Sequence, residues 1–357
     1  MNERQVLEAL KDVKDPEINR NLVELNMIRN IRIEGNSISL DVILTIQGCP
    51  LKVTIEEDIV KALKAIGAEE VHVHFGSMTD EERAALAAQL RGGAEKKAAG
   101  PPSILAPGSK TTFIAVSSGK GGVGKSTVSV NLAVSLARLG KKVGIIDADI
   151  YGFSVPDMMG IEQRPTVIGD MILPVPRMGV QVISMGFFVA DNSPVIWRGP
   201  MLGKMLRTFF NDVKWDDLDF MILDLPPGTG DMALDVHSLI PQSKEIIVTT
   251  PHGTAAFVAA RAGAMAIKTK HEILGVVENM AYFICPHCGE KSYLFGKGGG
   301  GKLAEELRTE LLAQIPLGLP DNHPSEPDFS PAVYKRDTEI GQIYEELAMK
   351  VIGLTKA

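Results

Sequence analysis

The stretch Ser117–Thr127, SSGKGGVGKST, constrains the fold of this chain more than any other part of it. It contains Gly119-x-x-x-x-Gly124-Lys125-Ser126, a spacing that wraps backbone N–H groups around phosphate oxygens when it joins a strand to a helix. Both flanks comply. TTFIAVSS upstream reads as a buried strand, and STVSVNLAVSLARLG downstream reads as a helix. Residues Gly119, Gly121, Gly122, Val123, Gly124 and Thr127 form the predicted cradle, and the helix N-terminus adds positive potential. Lys125 is placed to reach the β- and γ-phosphates of a nucleotide such as ATP, and the Ser126 hydroxyl to ligate Mg2+. One residue exceeds the pattern: a second lysine, Lys120, directly follows the first glycine.

From Thr111 onward, short apolar runs alternate with helical segments: KKVGIIDADI, VQVISMGF, FMILDLPP, KEIIVTTP followed by TAAFVAARAGAMAIK, and ILGVVENM. Continuous apolar strands between helices predict a mostly parallel sheet covered on both faces, an α/β fold that binds ligands at the carboxyl ends of its strands. Residues 92–110, GGAEKKAAGPPSILAPGSK, have the Gly, Ala and Pro content of a linker. They divide a small α+β domain (1–91) from a P-loop domain (111–357). In the first, RQVLEALKDV, LKVTIEEDIVKALKAI and TDEERAALAAQLR have helical spacing, while SISLDVILTI and EEVHVHF alternate as strands. His72 and His74 then share one strand face, expected to be solvated.

Two acidic motifs sit at predicted strand tips. Asp224 in FMILDLPPGTGD is placed to hold the Mg2+ shell, and Asp147 and Asp149 in GIIDADIYG stand two residues apart, where one could position the attacking water. The stretch FGKGGGGKLAEEL repeats the glycine spacing with Gly296, Gly301 and Lys302, but Leu303 replaces the hydroxyl residue. It is expected to be a loop leading into a helix and no second nucleotide site.

The net charge of −7 argues against a dedicated nucleic-acid surface, and no apolar run approaches the length of a membrane span. The charged N-terminus lacks the core of a secretory signal, so a cytoplasmic setting is expected. There are three cysteines, Cys49, Cys285 and Cys288. Cys285-x-x-Cys288 forms a predicted knuckle with Pro286 and Gly289, and two thiolates supply half of a tetrahedral or cubane ligand set. A redox dithiol, a structural zinc, a buried pair, and half-sites joined across a two-fold axis all remain open at this level. Cys49 precedes Pro50 at a predicted helix start, where a thiol becomes reactive; a plain buried thiol fits equally well.

The loop Gly119–Thr127, with its extra lysine, resembles the deviant Walker A loop of the MinD, ParA and nitrogenase-iron-protein class of ATPases. Within that class DADIYG (147–152), WRGPM (197–201), DLPPGTGD (224–231) and ENMAYFICPHCG (278–289) resemble the Mrp family of ApbC-like iron–sulfur cluster carriers. DPEINRNLVELNMI (15–28) and TIQGCP (45–50) resemble a PaaD-like domain found with iron–sulfur assembly factors. The resemblance implies a homodimer in which Lys120 crosses to the partner's phosphates, Asp149 orients the hydrolytic water, Asp224 supports Mg2+ and Asn279 reads the adenine edge. It also implies a [4Fe–4S] cluster bridged by two Cys285/Cys288 pairs; ATP hydrolysis is expected to be slow, as in a switch. That cluster would come from an upstream scaffold and pass to apo-proteins, with Cys49 as a possible transfer residue. Phe153 stands where many relatives carry proline. The rival expectations are a ParA- or MinD-like positioning switch whose CxxC is a zinc half-site, and a nitrogenase-reductase-type electron donor. The first calls for a basic surface or a basic amphipathic C-terminal helix, and the second for widely spaced cysteines; this sequence has neither.

Overall fold

The structure, a computed structural model, describes residues 2–16, 18, 20–45, 52–90, 103–106, 108–149, 152–189 and 199–356. Cys49, linker residues 92–102 and 107, Ile150–Tyr151 and Trp197–Arg198 of the motifs above lie outside the described residues. The chain divides into two compact units, Met1–Gly100 with Pro165–Pro174, and Pro101–Arg164 with Val175–Ala357.

The first unit runs α1 (Glu3–Ala9), β1 (Ile28–Glu34), β2 (Ser37–Leu44), α2 (Lys52–Ala65), β3 (Glu70–Ser77) and α3 (Asp80–Leu90). Its sheet has the order β1-β2-β3, with the first pair antiparallel and the second parallel. Period-2 alternation buries Ile38, Leu40, Val42 and Leu44 against Ile55, Ile59 and Leu63 of α2. His72 and His74 lie on the opposite, exposed face. Thr79 starts α3 through a capping box: its hydroxyl accepts the Glu82 N–H at 3.2 Å, and the Glu82 carboxylate accepts the Thr79 N–H at 2.8 Å. Strand β1 has no counterpart in the sequence reading. A register shift between Arg29 and Arg32, with Asn30 left-handed at φ 51°, breaks its alternation.

The rest of the chain follows the strand–helix rhythm: β4 (Thr112–Ser118), α4 (Lys125–Arg138), β5 (Val143–Asp147), α5 (Val155–Met159), β6 (Val167–Ile168), β7 (Met171–Ile172), β8 (Val175–Arg177), β9 (Val180–Ser184), α6 (Gly199–Asn211) and β10 (Phe220–Asp224). Then come α7 (Asp231–Leu239), β11 (Lys244–Thr249), α8 (Gly253–Lys268), β12 (Glu272–Asn279), β13 (Phe283–Ile284), β14 (Lys291–Ser292), α9 (Gly299–Leu307), β15 (Leu311–Ile315) and α10 (Glu339–Thr355). The main sheet has the order β15-β12-β11-β4-β10-β5-β9-β8, parallel except for the β8–β9 pair at its edge. Along β11, Ile246 and Val248 enter the core cluster that includes α4 and α10, while Ile247 packs with Ala259 of α8 and Leu303 of α9. Alternate residues therefore feed the two faces, as a sheet covered on both sides requires. The apolar stripe of α10, with Tyr344, Leu347 and Val351, is buried in the first of these clusters. No helix among the described residues is long and apolar enough to cross a membrane.

The hairpin β6–β7 belongs to the first unit although it is encoded far downstream. Ile168, Met171 and Leu173 are buried in the same core as Leu86, Ala87 and Leu90 of α3. Gly169, left-handed at φ 65°, makes the turn. The N-terminal core is thus completed by residues 165–174, which no linear boundary anticipates. Replacing Ile168, which has no exposed surface, with Ala is expected to destabilise that unit by about 2–5 kcal/mol. Hydrogen exchange should show β1–β3 losing protection while β4 and β10 keep theirs; the reverse pattern would contradict the assignment.

Candidate functional site

Strands β4, β5, β10 and β12 end at Ser118, Asp147, Asp224 and Asn279, and these carboxyl ends assemble the site. Asp224 pairs in register with Val116 on one side and Asp147 on the other. The loop between β4 and α4 turns through Gly122 and Gly124, left-handed at φ 80° and 81°. Gly119 presses on the backbone of α8, where a Cβ would lie 2.3 Å from Ala259 N, so no other residue fits. Val123 is buried, whereas Gly121 and Gly122 face solvent. Thr127 is half-buried, and its carbonyl accepts the Asn131 side-chain amide at 2.9 Å.

Lys125 folds inward. Its Nζ lies 2.9 Å from Asp224 Oδ2, 3.9 Å from Asp149 Oδ2 and 3.1 Å from Ser126 Oγ. Asp224 is fully buried and its carboxylate is shared: Ser126 Oγ donates to Oδ2 at 2.6 Å, and Ser129 Oγ donates to Oδ1 at 2.6 Å. Ser126 and Asp224 are hard oxygen donors in contact, the donor chemistry that Mg2+ accepts, so this pair fits that ion. Asp149 Oδ1 accepts the Gly152 N–H at 3.1 Å while Oδ2 faces Lys125. Lys120 is exposed, and its side chain makes no hydrogen bond or ion pair among the described residues.

Asp147 and Asn279 are occupied by the protein itself. Asp147 Oδ2 accepts the N–H groups of Ser154 and Val155 at 3.1 and 3.2 Å and the Ser184 hydroxyl at 2.9 Å, while Oδ1 accepts the Asp149 N–H at 3.2 Å. It holds the start of α5 and does not face open space. Asn279 Nδ2 donates to the Val123 carbonyl at 2.9 Å, which ties the end of β12 to the loop. Phe153 packs on Gly186, where a Cβ would lie 2.6 Å from its ring. The loop at 295–302 leads into a helix, as expected. Helix α9 starts within it at Gly299, and the N–H of Gly300 in the first turn donates to the buried Glu278 carboxylate at 2.7 Å.

Reading the sequence missed the supports behind the loop. Ser129 lies one helical turn beyond Lys125, a spacing that could have flagged it. Ser117 Oγ donates to buried Glu245 Oε2 at 3.1 Å, and Glu245 also pairs with His237 Nε2 at the end of α7. His237 Nδ1 in turn meets the Thr269 hydroxyl at 2.9 Å. A glutamate inside the apolar run KEIIVTT was the only available signal.

Cys285 and Cys288 occupy the turn of the β13–β14 hairpin. Cys285 N donates to Glu290 O at 3.0 Å, Gly289 N donates to Cys285 O at 2.8 Å, and Gly289 is left-handed at φ 72°. The N–H groups of Cys288 and His287, with the Cys288 thiol, bond to the Cys285 sulfur and hold its pKa below the usual thiol range. Such a knuckle favours the thiolate, the form that binds metal and also the form that attacks a disulfide. Cys285 is half-buried, Cys288 is exposed, and no group of three or more His, Cys, Asp or Glu assembles a metal site among the described residues.

Burial and the adjacent Asp224 carboxylate push the pKa of Asp147 up to about 7, against the pull of the Ser184 hydroxyl, Lys125 and the Val155 N–H. Between about pH 4 and about pH 7 the folded protein therefore keeps a proton that the unfolded chain releases, so stability falls as pH rises through that window. Urea midpoints across the window should show this slope, and Asp147→Asn should flatten it. An unchanged slope in the variant would assign it to another group.

A sequence profile described as the NUBPL iron-transfer P-loop NTPase matches residues 109–352, and one described as an iron–sulfur cluster assembly protein matches residues 3–75. The iron–sulfur cluster carrier protein of Bacillus subtilis (strain 168) is 54% identical over 353 residues, 98% of this chain and 97% of that one. The carrier protein of Mycobacterium leprae (strain TN) is 48% identical over 319 residues, 87% of this chain and 82% of its own. A nucleotide-binding protein from Archaeoglobus fulgidus, solved in complex with ADP and with cobalt found, is 38% identical. Its TM-score is 0.52, and the match covers 68% of this chain and 88% of that one. Most of the chain matches the profile, and one relative is similar from end to end: the chain belongs to the NUBPL iron-transfer P-loop NTPase family.

Proposed function

We propose that this chain is an ATP-hydrolysing carrier that holds a [4Fe–4S] cluster between two copies of itself and passes it to apo-proteins. The observation that carries the reading is the knuckle: a Cys285 thiol activated by backbone N–H groups, in a site with only two thiols among the described residues. A cubane cluster takes four ligands, and a two-fold axis through the knuckle supplies them. Large apolar side chains surround it on the surface, with Phe283, Tyr293, Leu294 and Phe295 exposed by 36–64%. An apolar rim of this kind suits a buried contact between subunits. The carrier names of the relatives at 54% and 48% identity agree with this cargo.

In the nucleotide site, Lys125 is neutralised by Asp224. An arriving triphosphate competes for its ammonium, and the backbone N–H groups of the loop and of the first turn of α4 bind the phosphate oxygens. Ser126 and Asp224, relieved of the lysine, hold Mg2+, which when bound supplies charge neutralisation at those oxygens. Asp149, beside Lys125, orients the water that attacks the γ-phosphorus as the bond to the β-bridging oxygen breaks, giving ADP and phosphate. Lys120, exposed and without a partner among the described residues, reaches the partner's nucleotide, so each site is complete only in the dimer. Turnover is slow, as in a switch. The reading places the protein in the cytoplasm, receiving clusters from an upstream scaffold. A MinD-like membrane anchor finds no support in α10, whose apolar stripe is already buried.

Anaerobic reconstitution tests the cargo: about four iron and four sulfide per dimer are expected, lost in Cys285→Ser. Zinc, or no metal, would remove the carrier reading. Mixing tests Lys120. Lys120→Ala and Lys125→Ala should each lower kcat at least about a hundredfold. An equimolar mixture should recover about a quarter of the wild-type rate, because half of the dimers are mixed and each of these carries one complete site. Absence of recovery would place Lys120 in its own site.

A further inference from the structure

The nucleotide loop and the cysteine knuckle meet at two adjacent residues. Glu278 and Asn279 end β12, and successive strand residues point to opposite sides. Glu278 accepts the Gly300 N–H at 2.7 Å and the Gln314 side-chain amide at 2.6 Å, which fixes the start of α9. Asn279 donates to the Val123 carbonyl at 2.9 Å, which fixes the end of β12 to the loop. The segment between these anchors, residues 280–298, carries Cys285 and Cys288. It leaves the sheet at Met280, which is left-handed at φ 54°, and Ala281 N donates to Ile315 O at 2.9 Å before the hairpin begins. The knuckle is thus clamped at both ends by neighbouring residues, and one of these holds the nucleotide loop.

That contact leaves no slack. Gly124 sits so close to Asn279 that a Cβ on it would lie 2.0 Å from Nδ2. The Val123 carbonyl shares its peptide unit with the Gly124 N–H, so a phosphate bound at that N–H pulls on the Asn279 contact through one peptide plane. We propose that Asn279 is the positioning residue through which nucleotide bound at the loop changes the Cys285–Cys288 knuckle. The proposal rests on the loop binding nucleotide and stands apart from the cargo, because the link is protein alone.

The test is hydrogen exchange of residues 283–292 in metal-free, full-length protein, with and without saturating ADP or AMP-PNP. Nucleotide affinity is measured in parallel for each variant. Wild type should change knuckle exchange at least about fivefold on binding nucleotide. Asn279→Asp keeps the shape but puts an acceptor against the Val123 carbonyl, and Asn279→Ala removes the contact. Both should bind nucleotide at saturation while the knuckle response collapses toward onefold. A wild-type knuckle indifferent to nucleotide would overturn the proposal, whatever the variants do. So would Asn279→Ala with weakened affinity but a full response at saturation, which would make Asn279 a base-recognition residue. A knuckle that responds but takes up no iron on reconstitution would keep the link and remove the carrier reading.

Discussion

An ammonium and a carboxylate withdrawn from water organise this protein. Lys125 and Asp224 are nearly or wholly buried at 2.9 Å, and each is tolerable there only because the other is present. Removing one partner of such a pair typically costs about 3–5 kcal/mol, since the remaining charge is left unpaired. The hydroxyls of Ser126 and Ser129 fill the rest of the Asp224 carboxylate, and β10 carries it between β4 and β5. Asp147 lies in register with Asp224 and responds by holding its proton to about pH 7. With Asp149 also near, this pocket has more carboxylates than cations. In the proposed function a divalent ion and the partner's Lys120 offset part of this negative charge and part of what the triphosphate adds.

Much of this frame was legible in the sequence, for a physical reason. Strands buried on both faces appear as unbroken apolar runs, and their ends must carry whatever polar groups the fold uses. FMILD and VGIID therefore announced both the strands and their terminal aspartates. Strand β1 was hidden because its bulge breaks the period of two that identifies a half-buried strand. The hairpin β6–β7 gave no local sign of belonging with residues 1–100, because burial of Ile168 against α3 is a property of the folded chain alone.

Within the site, residue types were legible and their engagements were not. DADIYG could not say which aspartate faces Lys125. The structure spends Asp147 on Ser154, Val155 and Ser184 and leaves Asp149 toward the lysine. CPHC could not distinguish a redox pair from a metal knuckle. The hairpin places two backbone N–H groups on the Cys285 sulfur, which favours the thiolate that both chemistries use, so the metal reading belongs to the proposed function. The sequence marked Asn279 as a candidate for the base and gave no sign that its amide also bonds the Val123 carbonyl of the loop.

Each copy of the chain contributes two thiols at the knuckle, so the account turns on whether one cluster belongs to two chains. Native mass spectrometry of the anaerobically reconstituted protein addresses this most directly. The account predicts a dimer carrying the mass of a single [4Fe–4S] cluster, with the monomer metal-free. A cluster or a zinc ion retained on the monomer would contradict it.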